Sequence, residues 1–160
     1  MPTVTSRKTT LLRPEEVKSL RLQWFTTTAL LGLHIVAVAA VMPWFFSWSG
    51  LIMACVGTYV FGTLGINVGY HRLLTHRSFI CPRWLERLLT LLGFCNLQGS
   101  SLKWVATHRR HHQHSDEQPD PHSPLVNFVW SHMGWLVTWN SSTDTMEGLG
   151  RYARDLYQDQ

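Results

Sequence analysis

The 160-residue sequence predicts an all-α integral membrane protein, in which a transmembrane hairpin precedes cytoplasmic and interfacial helices that carry histidine clusters. Two observations predict this fold class. Residues 24–70 contain no Asp, Glu, Lys or Arg, whereas a single helix needs only about 20 apolar residues to cross a bilayer. Seven of the nine histidines then follow between His71 and His122. At this length the chain forms at most one ordinary domain.

The hairpin is predicted from two apolar stretches, residues 24–42 and 51–70, which are joined by a short uncharged loop. Both ends of the hairpin therefore return to the same side of the membrane. Residues 1–23 form a basic tail and residues 71–115 carry a net charge of +6, so the positive-inside rule places both ends and the histidines in the cytoplasm. The glycines of the second stretch are expected to allow close helix packing: Gly57, Gly62, Gly65 and Gly69.

Residues 71–160 form the third predicted region, in which apolar segments are too short to span a bilayer. Residues 84–94 are predicted to form an interfacial helix, and residues 128–139 a second interfacial segment. A polar break after residue 95 precedes a predicted helix over residues 103–115. Prolines and acidic residues then indicate a loop, and a last helix is predicted over residues 148–160.

The sharper histidine cluster is His108-Arg-Arg-His111-His112. On a helix, His108 has His111 and His112 as neighbours on one face, because residues three and four apart are adjacent. Neutral imidazole is the commonest side-chain metal ligand, so three converging rings indicate a metal site. The alternative is a solvated basic run, since two arginines occupy the same turn. The metal site is the favoured interpretation.

The other cluster is His71-Arg-Leu-Leu-Thr-His76, whose histidines are five residues apart. On a straight α-helix that spacing rotates them by roughly 140°, so they cannot bind one ion from an unbroken α-helix. Either the helix ends or bends between them, or each serves a different metal of a pair. The alternative is a pair of polar residues at the membrane edge with no ligand role.

These motifs resemble those of a known family. His71-Arg-Leu-Leu-Thr-His76-Arg-Ser matches the HxxxxH box of membrane fatty acid desaturases, and His108-Arg-Arg-His-His-Gln-His-Ser-Asp matches their first HxxHH box. Asp120-Pro-His-Ser and Ser131-His-Met-Gly-Trp135 extend the match, which points to the delta-9 acyl-CoA desaturase branch. The resemblance covers roughly residues 20–160 and corresponds to the N-terminal half of such an enzyme.

The resemblance implies a histidine-ligated, non-haem di-iron centre that uses O2 to introduce a cis double bond into a saturated acyl-CoA or acyl-lipid. Electrons would come through a donor such as cytochrome b5 or ferredoxin with its reductase, and no nucleic-acid partner is expected. No catalytic side chain beyond the ligands is assigned. His114, His122 and His132 match flanking positions that are not, in general, ligands. The implied iron ligands are His71, His76, His108, His111 and His112.

A substrate site is predicted beside the clusters. Basic residues there can receive the phosphates of an acyl-CoA, although the positive-inside bias alone explains them. Polar residues of the break can line a cavity, although helix capping is the commoner role of such residues. The substrate candidates are Arg77, Asn96, Gln98, Lys103, Trp104 and Arg109, with Arg110 as a further phosphate candidate.

The sequence also departs from the family pattern. Desaturases of this kind have another HxxHH box after a second pair of crossings, and this sequence holds neither. We therefore expect residues 1–160 alone to be an incomplete and inactive enzyme. Two rival functions remain open: a related membrane hydroxylase of fatty acyl chains or alkanes, and a non-catalytic membrane hairpin whose histidines bind zinc or no metal.

Overall fold

The computed structural model describes residues 10–17 and 21–158, and the regular structure of these residues is helical. This confirms the all-α prediction. The predicted tail, residues 1–23, lies partly outside the described residues. The helices are α1 (Trp24–Ala40); α2, which is α-helical over Trp48–Gly57 and π-helical over Thr58–Thr75; α3 (Arg83–Cys95); α4 (Ser101–Gln113); α5, a π-helical turn Trp130–Gly134 continued by Trp135–Val137; α6 (Ser141–Asp144); α7 (Met146–Tyr152); and α8 (Arg154–Gln158).

The two predicted crossings correspond to α1 and α2. Among the described residues, only α2 is long and apolar enough to cross a membrane, judged by length and composition. The 17 residues of α1 rise about 25 Å at about 1.5 Å per residue, which is less than the roughly 30 Å of a hydrocarbon core. No residue of α1 is buried, and apolar side chains such as Ile35 and Val38 are largely exposed. The two-crossing topology and its orientation stay predictions.

The core lies where the π-helical end of α2 packs against α3 and α4. Tyr70, Val105 and Ala106 are fully buried there, and Leu89 of α3 is almost so. The side chain of Ser100 accepts a hydrogen bond from the Lys103 backbone N–H at 3.3 Å and so caps α4, which begins two residues before the predicted start. This packing brings the last turn of α2, and the residue that follows it, against one face of α4.

Two of the four glycines predicted to pack do so. A Cβ at Gly65 would overlap the backbone of Leu92 and Gly93 in α3, and a Cβ at Gly69 would lie 2.9 Å from the Leu89 carbonyl oxygen. Gly57 and Gly62 face only side chains of their own helix, at 3.8 Å or more. The close approach of α2 and α3 therefore requires Gly65 and Gly69.

The remaining segments follow the prediction with changes at their ends. The predicted segment 128–139 contains α5, after which Thr138 makes an isolated antiparallel bridge with Leu22 and so connects the segment to the start of α1. The single helix predicted over residues 148–160 is wrong within the described residues, because the backbone leaves helical geometry at Ala153 and separates α7 from α8. Residues 159–160 lie outside the described part.

We expect Gly65→Ala to destabilise the fold, because its methyl group would overlap backbone atoms that cannot move without separating α2 from α3. Overpacking of this kind costs about 1–3 kcal/mol. The measurement is thermal unfolding of the chain in detergent, followed by circular dichroism. Gly62→Ala is the matched control, since its methyl group meets nothing beyond its own helix. Equal losses in the two variants would contradict the close-packing role.

Candidate metal centre

The end of α2 places His71 and His76 side by side. The helix ends at Thr75, between the two histidines, as one of the predicted alternatives required. The rotation of roughly 140° does not apply, because this part of α2 is π-helical and residues five apart are one turn apart. The His76 backbone N–H donates to the His71 carbonyl oxygen at 3.0 Å, and the two ring centroids are 4.5 Å apart. The two rings therefore lie on the same side of the helix end.

Helix α4 supplies the other two rings of this cluster. His108 and His112 are one α-helical turn apart, with ring centroids 4.6 Å apart and Nε2 atoms 3.0 Å apart. The His108 ring is also 4.8 Å from that of His71. One ring nitrogen from each of His71, His76, His108 and His112 lies within 4.8 Å of the others. We call these residues the four-histidine cluster.

His111 lies in a different group. Its ring is 6.4 Å from that of His108 but 4.4 Å from that of His122, and its Nδ1 is 3.0 Å from Asp120 Oδ1. The predicted convergence of His108, His111 and His112 on one spot is therefore wrong, because His111 projects from another flank of α4 towards the loop after the helix. Its ligand atom, Asp120 and His122 again lie within 4.8 Å of one another. We call these three the Asp120 group.

Asp120 and His122 were not among the predicted site residues, and the structure places both beside His111. Asp120 is buried and accepts the backbone N–H groups of Asp116 and His122 at 3.0 and 3.1 Å. Burial alone would raise the pKa of Asp120, but the hydrogen bonds from His111 and these two N–H groups lower it overall. A carboxylate in this position holds a histidine ring and fixes its tautomer, which is how ligating histidines are commonly oriented.

The four-histidine cluster suits a metal ion. Burial and the neighbouring rings, first His112, then His71 and His76, lower the pKa of His108 to about 3, so its ring is neutral at physiological pH. Neutral imidazole is the form that binds metals. The 3.0 Å between the Nε2 atoms of His108 and His112 matches two nitrogens about 2.0–2.1 Å from a shared ion. His76 and His112 are exposed, so the cluster is open on one side.

Three of the predicted substrate residues are paired with carboxylates. Lys103 forms an ion pair with Asp144, while Arg77 and Arg109 both bind Asp155, at 2.7 and 2.6 Å. The further candidate, Arg110, is fully buried with Glu16 as its partner at 2.8 Å. Arg109 and Arg110, the two arginines of the His108 cluster, are therefore not a solvated basic run. All four basic side chains form ion pairs within the chain, and their role with substrate stays a prediction.

The other three substrate candidates lie near the end of α3 and the start of α4. Trp104 stacks on His108 with ring centroids 4.7 Å apart, and its Nε1–H donates to the Gln98 side-chain oxygen at 3.0 Å. Asn96 ends α3. Only Trp104 thus contacts the four-histidine cluster, and Gln98 orients it.

Comparison with known proteins finds desaturases among the relatives of this chain. The chain is 44% identical over 139 residues to the sn-1 stearoyl-lipid 9-desaturase of Anabaena variabilis, an alignment that covers 87% of this chain and 50% of that protein. It is 39% identical over 146 residues to the sn-2 palmitoyl-lipid 9-desaturase of Nostoc sp. (strain 36), covering 91% and 50%. It is 42% identical over 121 residues to the acyl-CoA 5-desaturase AL21 of Anemone leveillei, covering 76% and 36%.

Over most of its length this chain is similar to fatty acid desaturases. It spans half or less of the length of each of these three relatives. No family model matches the chain, and no solved structure does. The resemblance noted in the sequence is thereby confirmed, while the relatives that it matches act, by their names, on acyl-lipids as well as on acyl-CoA.

The chain also has a pocket beside the polar break, whose residues were considered as a possible cavity lining. It measures about 490 Å³ and lies between α3 and the start of α4. Ser100 and Ser101 of the predicted polar break line it, whereas Asn96 and Gln98 do not. Its wall includes Tyr70, whose ring contacts Trp104 with centroids 5.8 Å apart, and Trp104 in turn stacks on His108. Two aromatic contacts therefore connect the pocket to the four-histidine cluster.

We expect Asp120→Asn to weaken Fe²⁺ binding by about 10–100-fold, the usual effect of losing a carboxylate that orients a ligating histidine. The measurement is bound metal per chain after dialysis against a series of free Fe²⁺ concentrations. Glu117→Gln is the control, since that exposed carboxylate approaches only His114, at 3.4 Å, outside both groups. Unchanged affinity in Asp120→Asn would exclude an orienting role.

A second prediction concerns acid stability. The hydrogen bond from Arg109, followed by that from Arg77, holds the pKa of Asp155 well below its ordinary value of about 3.9. A lowered folded-state pKa stabilises the fold above the ordinary value, and this contribution disappears as pH falls through the lowered pKa. We expect Asp155→Asn to lower the unfolding midpoint at neutral pH, and the difference from the unsubstituted chain to shrink below about pH 4.

The check is a set of thermal unfolding curves between about pH 3 and pH 7 for both proteins. Glu147→Gln serves as control, because that exposed carboxylate has no ion pair within the described residues. A difference that stays constant over the whole range would show that the Asp155 pairs do not contribute.

Proposed function

We propose that this chain supplies iron ligands to an oxygen-dependent desaturase that introduces a cis double bond, at the delta-9 position, into a saturated acyl chain of a lipid. The observation that carries the proposal is the four-histidine cluster, in which two separate segments meet with ring nitrogens within 4.8 Å. The desaturase names of the relatives support the reaction type. Two of them name position 9, and their names support that choice.

The proposed ligands are His71, His76, His108, His111 and His112, shared between two irons. A pair of metal ions is supported because the His111 ring lies outside the four-histidine cluster but only 5.8 Å from the ring of His112. A bound di-iron centre would supply the oxidising power that amino-acid side chains lack, with O2 as oxidant and electrons from a donor such as cytochrome b5 or ferredoxin with its reductase. Overall, O2 would accept the two hydrogens removed from the chain together with two donated electrons and two protons, and two waters would form.

The chain's own residues position and shield the site. Asp120 holds the Nδ1–H of His111, so that the other ring nitrogen is left as the ligand atom. Trp104 covers one side of His108 and keeps water from it. Burial and neighbouring rings keep His108 neutral, so that no proton competes for its nitrogen.

An acyl-lipid is a better proposed substrate than an acyl-CoA. The phosphates of coenzyme A require free basic side chains, and the four candidates beside the site are paired with Asp144, Asp155 or Glu16. The exposed apolar surface of α1 and α2 supports a site that receives its substrate from the bilayer. We further propose that both ends of the hairpin and the histidines face the cytoplasm.

The test is a chimaera in which this chain replaces the matching segment of the Anabaena variabilis desaturase, expressed in a host that lacks desaturase activity. We expect new cis-monounsaturated acyl chains in the host lipids, and their loss to background in His108→Ala. His114→Ala is the matched control, because His114 contacts Glu117 and belongs to neither metal group. Product analysis by mass spectrometry measures both.

The same products separate the rival functions. Hydroxylated chains would indicate a hydroxylase, and tight zinc with no lipid product would indicate a non-catalytic hairpin. The 160-residue chain is expressed alone in parallel, and we expect it to leave the host lipids unchanged. New cis-monounsaturated chains from it would show that these residues suffice for desaturation.

A further inference from the structure

Arg109 follows directly after His108, yet its side chain reaches the end of the other histidine-bearing helix. Its Nη2 donates to the Leu74 carbonyl oxygen at 2.9 Å, and Nε and Nη2 both donate to the Thr75 carbonyl oxygen at 3.3 Å. These are among the last carbonyls of α2, which have no partner within the helix. The next residue in the chain is His76. Arg109, the residue after His108, is therefore bonded to Thr75, the residue before His76.

The guanidinium of Arg109 is itself held in place. Nη1 donates to Asp155 Oδ1 at 2.6 Å and Nη2 to Asp155 Oδ2 at 3.0 Å, a two-point contact with α8. Nη1 also donates to the Tyr152 carbonyl oxygen at 3.2 Å. The side chain is only 21% exposed. A planar group with all its donors engaged has little freedom to shift, so the contacts fix the spacing of three segments.

Arg77 provides a comparison. It binds the same carboxylate, at 2.7 Å, but its side chain is 48% exposed and donates to no backbone carbonyl among the described residues. An exposed pair of this kind contributes little. Both arginines carry the same charge next to the same site, and only Arg109 bonds the end of α2. A difference between them therefore reports on the backbone contacts, with charge held equal.

We propose that Arg109 is a positioning residue that fixes the distance between the two pairs of histidines by bonding the Leu74 and Thr75 carbonyls. The proposal rests on the proposed function in that the histidines are taken as metal ligands. It gives Arg109 a task other than contact with substrate. The cationic end group also suits the negative end of the α2 dipole.

The test compares Arg109→Gln, Arg109→Lys and Arg77→Gln in the full 160-residue chain in detergent. We expect Arg109→Gln to weaken Fe²⁺ binding by about 10–100-fold, as the loss of a group that supports metal ligands usually does. Arg109→Lys keeps the charge but lacks the fork that reaches both carbonyls, so its loss should be intermediate. Arg77→Gln should stay within about twofold of the unsubstituted chain, since exposed pairs are worth little.

A second readout needs no metal. Amide hydrogen exchange of the metal-free chain is measured at His76, whose N–H bonds the His71 carbonyl. We expect faster exchange there in Arg109→Gln, because the end of α2 loses its support, and no change in Arg77→Gln. This measurement also shows whether each variant remains folded, from the exchange of buried amides such as that of Val105.

The outcomes separate the two proposals. Unchanged iron affinity together with unchanged His76 exchange in Arg109→Gln would overturn the positioning role. Equal losses in Arg77→Gln would also overturn it and would indicate that positive charge alone matters. If the unsubstituted chain took up no iron, the proposed function of the cluster would fail, while His76 exchange would still decide whether Arg109 supports the end of α2.

Discussion

The structure depends on the contact between the end of α2 and the face of α4, because the imidazoles of two separate segments meet there. Four rings with centroids mostly 4.5–4.9 Å apart cannot all be charged, since like charges at that distance repel. Burial and the neighbouring rings lower the pKa of His71, His108 and His112, which favours the neutral form of these rings that binds metals. A cation between them would be coordinated by their ring nitrogens. This is the physical reason to regard the contact as a candidate metal centre.

Ion pairs near the same contact involve the positive charge that is concentrated in residues 71–115. The basic segment 71–115 lies against the acidic residues of the C-terminal segment, with Lys103 bound to Asp144 and Arg109 to Asp155. Such pairs add little stability where they are exposed. Where the same arginine also satisfies helix-end carbonyls, its removal would leave those acceptors without partners, which costs more than the pair itself. Structural pairing with the C-terminal carboxylates is thus one role of these basic residues.

The sequence predicted the helical class, the histidine clusters and the family, since each depends on local spacing or on a run of apolar residues. It did not predict the π-helical end of α2, because the expected rotation of His71 against His76 assumed α-helical geometry. Nor could spacing along α4 assign His111, which is near His108 in sequence but bonds Asp120 on a loop. Which glycines pack also depended on the partner helix, as Gly65 and Gly62 show. Contacts between segments distant in sequence decided each case.

The position of the cluster along the chain bears on how a lipid would reach it. His71 lies in the last turn of apolar α2, and the α-helical first part of α2 has no buried residue. If α2 crosses the bilayer as proposed, the histidines lie where the hydrocarbon ends, within reach of an acyl chain that never leaves the membrane. Transfer of such a chain through water would cost about 0.8 kcal/mol for each CH₂ group. A site at the membrane edge avoids that cost, whereas the same cluster on a soluble helix pair would need a carrier for its substrate.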